Sequence, residues 1–202
     1  TVIHELKGIS RKGDLVCIGS TSTHKEIRTN PIIKSQAGSL ATACGWIGSP
    51  AIRNMGTIGG NLVNASPAAD SLAPLLIHDA EVVLESKDGE RRMKVEDFIL
   101  APYKTAIDAH ELLTVIEIKG FSGYREGYKR VTKRATWAIS RLSIAWAIQE
   151  EDGLFKDVKL AIGSCTPMPF RPMGIEESLQ GRIKSDEAIR TAIEGILEEI
   201  KG

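Results

Sequence analysis

Apolar residues recur along this chain in two periods, and each change of period marks an element. "DLVCIGSTST" reads as a strand running into a polar loop. Behind Pro31, the residues Ile33, Ala37, Leu40, Cys44 and Ile47 recur at helical spacing and predict one helix with one face turned inward. "SLAPLLIH" predicts a short apolar helix, and "AEVVLES" and "ERRMKVEDF" flank Lys87-Asp88-Gly89, where the Asp-Gly pair signals a hairpin. The strand-like "LLTVIEIK" is followed by the glycine-rich "GFSGYREG", which places a domain boundary near residue 122 and divides the chain into units 1–121 and 122–202. In the second unit "RLSIAWAIQE" and "FKDVKLAIGS" surround Asp152-Gly153, again a hairpin. The tail then offers Ile189, Ile193, Ile196 and Ile200 on one helical face, with Ser185 as cap and Asp186 and Glu187 in the first turn, to cover that hairpin's sheet. The class is α+β.

Composition narrows the function. With 202 residues and 42% hydrophobic content the chain can bury a core, and 26 basic residues against 26 acidic ones give no footprint for nucleic acid. No apolar run approaches the ~20 residues of a membrane span, and "TVIHELKGIS" lacks the layout of a signal peptide, so a soluble cytoplasmic protein is expected. Cys17, Cys44 and Cys165 lie far apart without metal or redox spacing and read as buried thiols. His4, His24, His78 and His110 are scattered singly, which favours surface or packing roles over a metal site.

The most distinctive stretch is "NMGTIGGNLVNASPAAD", residues 54 to 70. Glycines at 59 and 60 permit positive φ and close approach of a ligand to the main chain, so successive amides can form a nest for phosphate; a plain turn or bulge uses the same pair. Asn61, Asn64 and Ser66 add donors, and Asp70 can accept bonds from sugar-like hydroxyls. The pattern is neither GxGxxG after a strand nor a Walker loop.

With its flanks the stretch gains context. "IRNMGTIGGNLVNASPAAD", "AEVVLES", "GERRMKVEDFI", "ELLTVIEIKG", "GYKRVTKRATWAISRLSIAWAI" and "GSCTPMPFRP", in that order, resemble the FAD-binding medium subunits of molybdenum hydroxylases, of the carbon monoxide dehydrogenase and xanthine dehydrogenase flavoprotein type. Trp137 in "ATWAIS" resembles the bacterial and archaeal carbon monoxide dehydrogenase branch. The resemblance implies the second part of a two-part FAD-binding domain (PCMH type), followed by a small antiparallel-sheet-plus-helix C-terminal domain. It also implies that Thr57, Ile58, Gly59, Gly60 and Asn61 form a diphosphate loop continued by Asn64, and that Asp70 meets the ribityl region. Leu113 would pack near the isoalloxazine, Lys129 would bond its polar edge, and Gly48 matches a further contact position. The family's opening subdomain with an "AGGT"-type glycine pair and its closing "YR" segment have no counterpart in these residues, so a core fragment, a split polypeptide or a trimmed chain is expected.

Other features qualify this reading. Lys129 and Lys133 share one face of an extended strand and Arg130 and Arg134 the other, so one pair can face a cofactor while the other stays wet. Trp46, Trp137 and Trp146 fit core positions, and Arg53 fits either a diphosphate contact or an exposed ion pair. The function implied is an electron-transfer subunit. FAD would sit on this chain, molybdopterin on a large partner and iron-sulfur clusters on a small partner, with NAD or another molecule as acceptor. The rival is a non-catalytic assembly module that has lost flavin binding.

Overall fold

In the computed structural model, which describes residues 3–134 and 138–201, a helical turn His4–Leu6 leads into the hairpin β1 (Ile9–Lys12) and β2 (Leu15–Gly19). Trp137 lies outside the described residues. A run of short helices follows: α1 (His24–Thr29), α2 (Pro31–Gln36), α3 (Gly38–Trp46), α4 (Pro50–Met55), α5 (Ile58–Asn64) and α6 (Leu72–Ile77). Local chemistry sets their starts. Thr23 and Glu26 form a reciprocal capping box on α1, the Asn30 side chain accepts the amides of Ile32 and Ile33 ahead of Pro31, and Ser49 accepts that of Ile52 ahead of Pro50.

The single helix expected behind Pro31 is therefore two. Ala37 adopts φ −153° and ψ 56°, which ends α2, and the Glu126 carboxylate accepts the Ser39 amide at the start of α3. The apolar face survives the break: Ile33, Ala37, Leu40 and Cys44 are all fully buried.

Next come β3 (Glu81–Ser86) and β4 (Gly89–Lys94), joined at Lys87-Asp88 as the Asp-Gly signal predicts, then α7 (Val95–Phe98), the ribbon β5 (Ile99–Ala101) and β6 (Lys104–Thr105), and β7 (Leu112–Lys119). Strand β7 inserts between β2 and β3, giving an antiparallel sheet in the order β1-β2-β7-β3-β4. The register sets Ile18, Ile116 and Val82 in one row on the face that packs against the helices. The reverse face carries Cys17 beside Glu117, whose carboxylate pairs with Arg92.

The second sheet is β8 (Arg125–Thr132), β9 (Ser140–Glu151) and β10 (Leu154–Gly163), antiparallel with β9 central. Asp152 and Gly153 at φ 51° and 77° supply the paired left-handed residues that a two-residue hairpin turn requires. Helices α8 (Met173–Leu179) and α9 (Asp186–Lys201) cover one face through Phe155, Val158, Leu160, Leu179, Ala188 and Ala192. Ser185 caps α9 as expected, its hydroxyl accepting the Ala188 amide. The buried face of α9 is not the isoleucine face: Ala188 and Ala192 point inward with Ile196 partly buried beside them, while Ile189 and Ile193 are exposed. Small residues win because the helix lies close to its neighbours, and a Cβ on Gly195 would stand 2.3 Å from Ile175 Cδ1.

The other face of this sheet meets α3 and α6, and Tyr128, Ala145, Ala147 and Ala161 share one core with Leu40, Leu72 and Leu75. Two polar ties reinforce the junction. Glu126 on β8 accepts from the Ser39 hydroxyl and lies 3.1 Å from His78 Nε2, and the other ring nitrogen of His78 donates to the Lys119 carbonyl at 2.7 Å. Arg171 bridges Asp79 and Glu176 at 2.6 and 2.7 Å.

Candidate functional site

Where α4, α5, the loop ahead of α6 and the sheet β8–β9 converge, the surface opens into a cavity of about 750 Å³, within the ~300–1,000 Å³ usual for small-molecule sites. Ile47, Ile52, Pro67, Ala68, Ala69, Tyr103, Ala138 and Ile139 supply apolar walls, and Asn61, Asn64 and Ser66 form a polar side. Gly48 lines the rim at φ +46°, with Ile52 Cδ1 2.8 Å from where a Cβ would stand, so glycine is required there. Arg53 donates from Nη1 to the carbonyls of Ile47 and Gly48 at 2.9 and 2.8 Å and holds this rim in shape.

The floor is a buried polar cluster between the two units. Asp70 Oδ1 accepts from the Tyr128 hydroxyl and the Ser140 hydroxyl, both at 2.6 Å, and Oδ2 accepts from Arg130 Nη1. Burial beside this carboxylate pushes the Tyr128 phenol up, which keeps it a donor. The Arg130 guanidinium lies 5.5 Å from the Trp46 ring centre, in cation–π range, and Trp46 meets Tyr128 edge-on at 6.1 Å. Beside the cavity, sharing Ala138 and Ile139, lies a second depression lined by Lys133, Arg134 and Arg141.

Two family descriptions match the chain in series: "FAD binding domain in molybdopterin dehydrogenase" over residues 1–118 and "CO dehydrogenase flavoprotein C-terminal domain" over residues 127–201. The chain belongs to the family of FAD-binding medium subunits of molybdenum hydroxylases. Among this family, the glyceraldehyde dehydrogenase medium chain of Sulfolobus acidocaldarius is 34% identical over 199 residues, 98% of this chain and 70% of that protein. The carbon monoxide dehydrogenase medium chain of Hydrogenophaga pseudoflava is 28% identical over 96% of this chain and 68% of its own length. The solved carbon monoxide dehydrogenase from that organism superposes with a TM-score of 0.90 at 28% identity, over 96% of this chain and 67% of the matched one. The relatives are subunits of dehydrogenases, and the family's cofactor is FAD.

Against that family pattern the expected site residues divide into two groups. Asn61, Asn64 and Asp70 line the cavity. The Thr57–Asn61 segment adjoins it, and it is the first turn of a helix, not an open nest. Thr57 caps α5, its hydroxyl accepting the Gly60 amide at 3.1 Å, and the Ile58, Gly59 and Asn61 amides donate to Ser22, Ser20 and Thr57 carbonyls. Neither Gly59 nor Gly60 has positive φ among the described residues. Gly59 is needed for packing, because a Cβ there would stand 2.7 Å from Ser20 Cβ and 2.8 Å from its carbonyl oxygen. Gly60 faces outward, where a Cβ would meet only Thr57 Oγ1 at 3.1 Å. Gly59→Ala should therefore cost about 1–3 kcal/mol of stability as overpacking, while Gly60→Ala should stay within about 1 kcal/mol of the parent. Urea melts of the two variants check this, and equal losses would refute the assignment.

Ile58, Leu113 and Lys129 stand apart from the cavity. Ile58 is fully buried in the core and Leu113 is buried near the start of β7 opposite Leu84. Lys129 is exposed, and strand alternation puts it on the face of β8 away from Tyr128 and Arg130. The cation at the cavity is Arg130. The alternation of the basic run was the signal for it, although β8 ends at Thr132, so only Lys129 and Arg130 obey that rule. Cys165 is exposed, unlike Cys17 and Cys44. Among the described residues no helix is long and apolar enough to cross a membrane.

Proposed function

We propose that this chain is the flavin-carrying electron-transfer subunit of a molybdenum-containing dehydrogenase. The observation that carries the reading is the cavity at the junction of the two units, with apolar walls for a planar ring, a polar side from Asn61, Asn64 and Ser66, and a charged floor of Asp70 and Arg130. These residues fit FAD: ring-sized apolar surface, hydroxyl-bonding side chains and a positioned cation meet in one place. When bound, the flavin supplies two-electron chemistry. The chain's own part is to orient the cofactor, with Thr57 to Asn61 and Asn64 against its polar moiety and Asp70 fixing the floor, and to keep water from the ring behind Ile47, Ile52 and Ile139. Electrons would come from iron-sulfur clusters on a small partner, originate at a molybdopterin centre on a large partner and leave to NAD or another acceptor in the cytoplasm. Residues 1–121 would act as the FAD-binding domain and 122–202 as the C-terminal domain that closes the cavity.

The rival reading, an assembly module without flavin, draws on one fact: the amides of Ile58 to Asn61 are already bonded within the protein. Gly60→Val separates the two. Its side chain would project outward from α5 with little effect on the fold, yet obstruct a cofactor approaching that turn. We expect flavin affinity to fall at least tenfold, about 1.4 kcal/mol, with stability in urea within about 1 kcal/mol of the parent. Flavin content and affinity equal to the parent's would exclude this turn from the site.

A further inference from the structure

Arg130 is the least explained residue of the cavity. Its side chain is only 9% exposed, yet it lines the opening. Nη1 is engaged with Asp70 and, at 3.5 Å, with Ser140, while Nε and Nη2 have no hydrogen-bond partner among the described residues. These two donors belong to a side chain that lines the opening, so they are free to bond a ligand that enters it. The surroundings say which kind. The adjacent walls are apolar, and no second cation lines the cavity among the described residues, so the site suits one polar edge of a flat ring better than a multiply charged phosphate. Trp46 covers the guanidinium and Asp70 anchors it, so its direction is fixed before a ligand arrives.

We propose that Arg130 meets the pyrimidine edge of the flavin ring, the N1–C2=O side, with Asp70 and Trp46 as positioning residues. The proposal rests on the flavin reading above and goes beyond it by assigning the residue that sets the cofactor's redox preference. On taking two electrons and one proton at N5, a flavin carries its remaining negative charge on that edge, so a cation there binds the reduced form more tightly than the oxidised one. Arg130 is thus the residue through which this chain tunes the direction of electron flow.

The test is a spectroscopic redox titration of the flavin-loaded protein with dithionite and a reference dye, FAD in excess so that weakened retention does not hide the result. Arg130→Gln keeps an amide donor for Asp70 and removes the charge. It should lower the preference for reduced over oxidised flavin about tenfold, a fall of about 30 mV in the two-electron potential, and Arg130→Lys should restore most of it. A phosphate contact would instead weaken both redox forms equally and leave the potential unmoved, which overturns the proposal. An equal fall in Lys129→Met would also overturn it, since that side chain lies on the other face of β8. The parent protein offers a second measurement should the Gln variant not fold. Sulfite adds its lone pair to flavin N5, forming an N–S bond and moving an electron pair onto N1–C2=O without a leaving group, so a cation at that edge should yield a bleached adduct at millimolar sulfite. A parent flavoprotein that does not bleach refutes the assignment. Failure of the parent to bind FAD even when supplied with the family's opening glycine-pair subdomain would instead strike the flavin reading itself.

Discussion

Asp70→Ala should destabilise the protein by about 3–5 kcal/mol. The carboxylate is buried and accepts from Arg130, Tyr128 and Ser140, themselves buried or nearly so, and these three come from the second sheet while Asp70 comes from the loop before α6. Truncation leaves a guanidinium without its counter-charge and two hydroxyls without an acceptor at the place where the units join. The cost of breaking such a cluster is the cost of the orphaned groups, not the strength of the bonds lost. Removing both charges should therefore be milder than removing one, so Asp70→Ala/Arg130→Met should be more stable than Asp70→Ala alone. Denaturant midpoints of the parent, both single variants and the double variant measure this directly. A loss below about 1 kcal/mol in Asp70→Ala would mean that the cluster is solvated and contributes little to joining the units.

The second large effect is a dependence on acidity centred on His24. Its ring is 3% exposed and its Nδ1 has no hydrogen-bond partner, and burial pushes the imidazole down to about 4 from 6.5 although the Asp70 charge opposes the shift. The folded protein thus holds His24 neutral. Above pH 6.5 both folded and unfolded chains are neutral at this residue, and its contribution is intact. As pH falls from 6.5 towards 4, only the unfolded chain takes up the proton, and stability drains away until the folded form titrates as well. A shift of that size corresponds to about 3 kcal/mol across the window. His24→Phe fills similar space without an ionisable nitrogen and should flatten the profile, giving a protein near the parent at pH 7 and more stable near pH 4.5. Urea midpoints from pH 7 down to 4.5 provide the comparison, and parallel curves would remove His24 from the acid response.

The elements were legible in the chain wherever their cause is local. Asp152-Gly153 marks its hairpin because both residues of that two-residue turn are left-handed, at Lys87-Asp88-Gly89 only the glycine that opens β4 has positive φ, and Ser185 caps α9 because its oxygen reaches an amide three residues on. The helical face of Ile33, Ala37, Leu40 and Cys44 was legible for the same reason, though the break at Ala37 was not, since it depends on Glu126 reaching the start of α3 from a distant strand. The inward face of α9 was misread because periodicity ranks positions by hydrophobicity, whereas close packing against α8 selected alanine and glycine. At the site, three of the residues singled out in "TIGGNLVNASPAAD", Asn61, Asn64 and Asp70, line the cavity. What the two glycines do depended on the Ser20 backbone pressed against Gly59, and the choice of Arg130 over Lys129 depended on which face of β8 meets Asp70. Capping, turns and period are written in neighbours along the chain and can be read there. Which side chain faces a cavity is decided by contacts between residues some sixty positions apart, and only the packed molecule brings those together.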